Sequence, residues 1–168
     1  ARACRGEGTR GLQGGSAGGI TVGRAMTERP DLFGAVIPAV GVMDAVRAET
    51  TANGIPNIPE FGTVKKEDEF RGLLAMSSYH HVKSGTAYPA VMLTHGVNDP
   101  RVDVWHTTKF AARVLAASSS GKPVLVNLDY ESGHGIGDTK QQRQRDVADR
   151  YAFFFWQAGH PDFQPKAR

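Results

Sequence analysis

Serine is a poor nucleophile until a neutral imidazole takes its proton, and the imidazole works best when a carboxylate orients its other nitrogen. Three residues of this sequence are of the right type and setting for such a set: Ser16, Asp99 and His134. Ser16 lies in Gly14-Gly15-Ser16-Ala17-Gly18, a match to the G-x-S-x-G nucleophile elbow. In that turn the chain passes sharply from strand to helix, the hydroxyl is pushed outward, and the glycines let the turn pack against neighbouring backbone. Asp99 follows an apolar run, in His95-Gly96-Val97-Asn98-Asp99-Pro100-Arg101, and His134 stands between glycines in Ser132-Gly133-His134-Gly135. Those glycines would let a loop carrying the imidazole curl over the serine. The pentapeptide alone is a weak signal, since a chain with 20 glycines in 168 residues would match it by chance in roughly one case in ten. The rival reading of Gly14 to Gly19 is a phosphate-cradling loop, but the stretch lacks the Lys-Ser/Thr ending of a P-loop and the spacing of a dinucleotide-binding G-x-G-x-x-G.

Order and placement strengthen the catalytic reading. Serine, acid and histidine follow one another along the chain as they do in α/β hydrolases, and each falls in a turn or loop of the kind that gathers at the ends of sheet strands. Asp103 and Asp129 compete with Asp99 for the acid role; Asp103 leads into a helix, and Asp129 lies beside the strand that precedes the histidine. His80, His81, His95, His106 and His160 read as surface or hydrogen-bonded residues, because none sits in a comparable turn.

The elements that must position these groups alternate between strand and helix. The glycine-rich turn opens a helix that runs through Ile20 and Met26 and stops at Arg29-Pro30. Ala35 to Val40 reads as a buried strand with a proline near its end, and Ala52 to Gly62, with its prolines, asparagines and glycines, as a long irregular loop. A surface helix spans Lys65 to Met76, with Phe70, Leu73 and Leu74 inward. A strand over Tyr88 to Thr94 empties into the Asp99 loop, and a helix from His106 to Ala117 turns Phe110, Val114 and Leu115 inward. A strand from Val124 to Leu128 runs into the His134 loop, and a last helix covers Thr139 to Trp156 with a core-facing aromatic end at Phe153 to Trp156. This alternation predicts an α/β sheet of mostly parallel strands with flanking helices. Residues 1–13 carry no apolar run and read as an unsettled segment without a buried strand.

Composition excludes other classes. No window approaches the roughly 18 consecutive apolar residues of a membrane span, and the first residues lack the apolar segment of a signal peptide, so a soluble chain with no membrane partner is expected. The single cysteine, Cys4, rules out an internal disulfide framework and a cysteine-rich zinc site, and no metal or cofactor is called for. The net charge of +3 comes from 20 basic and 17 acidic residues without a basic block interleaved with aromatics, which argues against a nucleic-acid partner.

Taken together, Gly14-Gly15-Ser16-Ala17-Gly18-Gly19, Arg29-Pro30-Asp31-Leu32-Phe33-Gly34-Ala35-Val36-Ile37, Val40-Gly41-Val42-Met43-Asp44, Asn98-Asp99-Pro100-Arg101-Val102 and Gly133-His134-Gly135 resemble the catalytic domain of the prolyl oligopeptidase family of serine peptidases over about Gly14 to Trp156. The resemblance implies an α/β-hydrolase fold and cleavage of short peptides, typically after proline. It makes Ser16 the nucleophile, Asp99 the acid and His134 the base. It makes the Ala17 N–H an oxyanion donor, Arg101 the binder of a substrate carbonyl, and Val42 part of the lining of the proline pocket. Residues 14–168 then correspond to the C-terminal portion of the catalytic domain, with its N-terminal strands, an oxyanion tyrosine and a β-propeller missing.

Asn57 stands where proline-specific members carry a tryptophan that stacks on the substrate proline, so strict proline specificity is not implied. The same triad serves an esterase or a dipeptidyl or acylaminoacyl peptidase, and a catalytically inactive fragment is a further alternative. An open parallel-sheet edge left by the missing strands would favour self-association.

Overall fold

Ala35-Val36-Ile37-Pro38-Ala39 and Ala90-Val91-Met92-Leu93 carry apolar side chains at successive positions, so both faces of each strand require cover. In the computed structural model, which describes residues 10–135 and 138–166, they lie at the centre of a four-stranded parallel sheet. Its strands are β1 (Gly11–Gly15), β2 (Ala35–Ala39), β3 (Ala90–Gly96) and β4 (Val124–Asp129), in that spatial order. β2 and β3 are buried at every position. Val36 pairs with Val91 and Ala39 with Thr94, and the pairing lapses between them, where Pro38 has no N–H to give.

Parallel neighbours need crossovers, and helices supply them. The helices are α1 (Ala17–Glu28), α2 (Ala45–Ala48), α3 (Ile58–Phe61), α4 (Glu67–Met76), α5 (Trp105–Ala117) and α6 (Lys140–Gln157). α1 and α5 cover one face of the sheet: Val22 and Met26 from α1, and Phe110, Ala111 and Val114 from α5, pack with Val36, Val91 and Leu93. The alternate side chains Ala35, Ile37, Ala90 and Met92 face the other way and meet Phe153 of α6. Full burial of side chains such as Phe110 or Met26 stabilises the fold by roughly 1.5–3 kcal/mol each. All four strands end, at their C-termini, on the same edge of the sheet, where sites in open α/β folds collect.

Several expectations need correction. Gly11 to Gln13 belong to β1, which has no apolar run of its own and is held by its ladder to β2 instead; residues 1–9, including Cys4, lie outside the described residues. The segment from Ala52 to Gly62 is not wholly irregular, since Ile55–Asn57 forms a 3-10 turn and α3 follows, each with proline at its N-terminal end. Leu74 and Leu115 are exposed, because each lies about 100° round its helix from a buried neighbour, Leu73 and Val114. Of the aromatic end of α6 only Phe153 is fully in the core; Phe155 is exposed and packs with Phe163.

Candidate active site

β1 delivers Ser16 to the C-terminal edge of the sheet and α1 begins at the next residue, so the serine occupies the turn between them. Its backbone is left-handed, with φ 56° and ψ −122°, a conformation that costs a non-glycine residue about 1–3 kcal/mol and persists only where its surroundings enforce it. They do so here: the Ser16 N–H donates to the Ala39 carbonyl (3.0 Å), and its own carbonyl accepts from Gly19 N–H (2.9 Å). Gly14 allows the tight turn, since a Cβ there would stand 2.7 Å from the Gly18 carbonyl oxygen. Ala17 opens α1, and an N–H at the first helical position has no acceptor within the helix.

Asp99 hangs from the loop after β3 with its carboxylate fully buried. Oδ1 accepts the N–H groups of Arg101 (2.8 Å) and Val102 (3.0 Å). Oδ2 accepts from His134 Nδ1 at 2.6 Å, and His134 Nε2 lies 2.9 Å from Ser16 Oγ. The three residues, far apart in the chain, thus form one hydrogen-bonded line from carboxylate through imidazole to hydroxyl. The His134 loop after β4 comes within reach because it passes directly over Gly96, where a Cβ would lie 2.2 Å from the Gly133 carbonyl oxygen.

The rival acids have other surroundings. Asp129 ties down the start of the His134 loop, accepting from Glu131 N–H, Ser132 N–H and the Ser132 hydroxyl. The Glu131 N–H, with the Ser132 hydroxyl next, holds its carboxyl below the usual carboxylate range. Asp103 precedes α5, and its carbonyl accepts the His106 N–H. Among the other histidines, His80, His81, His95 and His106 all make hydrogen bonds through ring nitrogens, and His95 and His106 are buried.

A cavity of about 630 Å³ opens beside Ser16 and His134, bounded by Val40, Thr94, Asn127, Tyr130 and the first half of α6. That volume suits a ligand of a few residues. Arg101 and Val42 are not in its lining: Arg101 is exposed two residues after Asp99, and Val42 is half-buried in the loop after β2. Asn53 Nδ2 donates to the Arg101 carbonyl (3.2 Å), which ties the segment containing Asn57 to the Asp99 loop.

Two contributors escape sequence reasoning. Gly96 draws no reading beyond the loop after Thr94, though it ends β3 beneath the His134 loop, and His95, expected to be a surface or hydrogen-bonded residue, has Nε2 3.2 Å from Asp99 Oδ2. The only sequence signal is position, four residues before the acid at the end of an apolar strand. Among the described residues no cluster of three or more His, Cys, Asp or Glu side chains is placed to hold a metal ion.

The model of the prolyl oligopeptidase family matches residues 8–161. Prolyl endopeptidase of Elizabethkingia miricola is 36% identical over 149 residues, which make up 88% of this chain and 21% of that relative. Prolyl endopeptidase of Dictyostelium discoideum is 34% identical over 146 residues, 85% of this chain and 19% of the relative. The chain therefore spans about a fifth of the length of the curated relatives it matches. A solved prolyl endopeptidase superposes with a TM-score of 0.85 at 38% identity, over 92% of this chain and 22% of its own. Prolyl oligopeptidase B from Galerina marginata does so with a TM-score of 0.84 at 28% identity, over 91% and 22%.

Proposed function

The chain belongs to the prolyl oligopeptidase family, and from that premise we propose that it carries the acyl-transfer site of a serine peptidase acting on short peptides, with Ser16 as nucleophile, His134 as base and Asp99 as the acid that orients it. The observation that supports this reading is the unbroken line from Asp99 Oδ2 to His134 Nδ1 (2.6 Å) and from His134 Nε2 to Ser16 Oγ (2.9 Å). Variants of the Galerina marginata enzyme solved with bound 25mer or 35mer substrates have a serine, an aspartate or a histidine replaced by alanine. Those residues come in the same chain order, at nearly the intervals that separate Ser16, Asp99 and His134.

Ser16 Oγ attacks the carbonyl carbon of the scissile peptide bond as its proton passes to His134 Nε2. The charge on the carbonyl oxygen is met by the Ala17 N–H, a donor fixed before the reaction begins. His134 then gives its proton to the leaving amine, and the C–N bond breaks to leave an ester on Ser16. Water, deprotonated by the same nitrogen, attacks that ester and releases the acid, and the proton returns to Ser16 Oγ. From the family resemblance, Arg101 would hold a carbonyl of the substrate upstream of the cleaved bond and Val42 would line the pocket for its proline ring, both outside the lining of the cavity beside Ser16.

A fluorophosphonate probe applied to the full-length protein tests the assignment. Covalent labelling of the parent that disappears in Ser16→Ala is the expected result; labelling that persists in the variant removes Ser16 from the role. Turnover of a proline-amide peptide is expected alongside, and hydrolysis of aryl esters alone would place the activity with esterases.

A further inference from the structure

Three donors hold the Asp99 carboxylate, and a fourth polar group stands beside it. The backbone N–H groups of Arg101 and Val102 converge on Oδ1, and His134 Nδ1 reaches Oδ2 at 2.6 Å. That group is His95, the penultimate residue of β3, whose Nε2 is hydrogen-bonded to the Val102 carbonyl oxygen at 2.9 Å and lies 3.2 Å from the same Oδ2. The His95 ring is fully enclosed, and its other nitrogen, Nδ1, lies 2.7 Å from Thr107 Oγ1 on α5.

Chemistry assigns the protons. A carbonyl oxygen and an ionised carboxylate can only accept, so a lone pair on His95 Nε2 would face two acceptors; Nε2 must carry hydrogen. Burial pushes the imidazole below the usual histidine range, so at neutral pH it holds a single proton. Nδ1 therefore offers a lone pair, and the Thr107 hydroxyl donates to it. The Nε2–H thus donates to the Val102 carbonyl, with its positive edge beside Asp99 Oδ2.

We propose that His95 is a positioning residue of the site: its Nε2–H, bonded to the Val102 carbonyl and lying beside Asp99 Oδ2, anchors the 99–102 loop so that Oδ2 stays in line with His134 Nδ1. This inference rests on reading Ser16, His134 and Asp99 as the acyl-transfer set. Without His95, the Val102 carbonyl loses its anchor and Oδ2 its polar neighbour, so the loop and carboxylate gain freedom to shift and the acceptor that fixes the His134 tautomer is held less firmly. Since the side chains of His95 and Asp99 are both fully buried, the loss falls on the chemical step and leaves substrate binding unchanged.

The test uses the full-length protein and three variants, His95→Leu, His95→Gln and Thr107→Val, with thermal melting as the check on folding. The rate of fluorophosphonate labelling at saturating probe is expected to fall about 10- to 100-fold in His95→Leu, since a buried carbonyl loses its partner beside a buried charge, with the half-saturating probe concentration unchanged. His95→Gln, whose amide N–H reaches the same region, recovers most of that rate, and Thr107→Val, which frees the ring to change tautomer, gives an intermediate loss. Nitrogen NMR of the histidine-labelled parent is expected to place the His95 proton on Nε2.

Parent-like labelling by folded His95→Leu overturns the proposal, as does a His95 proton found on Nδ1. Equal slowing in His95→Leu and His95→Gln with equal loss of melting temperature overturns it too, because that pattern belongs to a packing role. Should His95→Leu not fold, the tautomer and the other two variants decide. Labelling that survives Ser16→Ala defeats the triad reading itself, whereas Ser16-dependent labelling indifferent to His95 defeats only the present inference.

Discussion

At the scale of single residues, His106 is strongly perturbed among the described residues and lies outside the Ser16–His134–Asp99 line. It is almost wholly buried, stacked on Trp105 at 3.8 Å between ring centres, with Nδ1 accepting the Asp44 N–H at 3.2 Å. Burial pushes its imidazole down from 6.5 to about 4, against the opposing pull of the Asp44 carboxylate and with smaller help from His95 and Lys109. Burial likewise lowers His80 and His95. The sign follows directly. Above 6.5 the ring is neutral whether the chain is folded or not; as the pH falls from 6.5 towards 4 the unfolded chain takes up a proton that the folded one refuses. Stability is thus complete above that window and is lost within it, by on the order of 2 kcal/mol from His106 alone at about pH 5. Melting curves between about pH 7 and pH 5 are expected to show a falling midpoint, and His106→Asn, which keeps an acceptor for the Asp44 N–H but cannot titrate, is expected to flatten that slope. A slope equal to the parent's would place the proton uptake elsewhere.

At the scale of elements, the turn at Ser16 depends on how closely α1 approaches β2, and adjacent glycines separate that effect from glycine content as such. A Cβ on Gly19 would stand 2.8 Å from the Ala39 carbonyl oxygen and 2.9 Å from Gly41 Cα, both backbone atoms that cannot swing away. A Cβ on Gly18 meets nothing within 4 Å. Gly19→Ala is therefore expected to push α1 off the sheet at a cost of roughly 1–3 kcal/mol, and Gly18→Ala to gain up to about 1 kcal/mol of helix propensity. Urea denaturation midpoints moving in opposite directions support this account; equal shifts contradict it. The pair also marks what sequence can tell. That Ser16, Asp99 and His134 come together is legible because each sits in a turn whose composition is unusual and whose chain order is restrictive, and β2, β3, α5 and α6 are legible from apolar runs and helical spacing. The motif suggests that Gly14 and Gly18 are the packing glycines, but contact depends on β2 and its following loop, so the second tight position is Gly19. His95, Gly96 and β1 fail for the same reason: their roles come from residues distant in sequence, namely Asp99, Gly133 and the ladder to Ala35–Ala39.

At the scale of the whole molecule, the two central strands are sealed and the two outer ones are not. β4 leaves Leu125 40% and Val126 41% exposed. Adjacent strand residues point to opposite faces, so this strand shows apolar surface on both sides as well as an unpaired backbone edge. β1, at the other end of the sheet order, alternates between exposed and half-buried positions. Parallel sheets are normally covered on both faces, and an open edge with apolar flanks is a template for another strand. We therefore propose that the 168-residue chain, expressed by itself, associates with further copies through β4. Light scattering coupled to size exclusion, at micromolar to millimolar concentration, is expected to report species larger than the 18.1 kDa monomer. Val126→Lys places a charge on that edge, where it is solvated in the monomer and buried in any strand-to-strand contact, so it is expected to restore the monomer with little change in melting temperature. A parent chain that runs as a monomer under these conditions, or a Val126→Lys chain that associates as strongly, excludes β4 as the route.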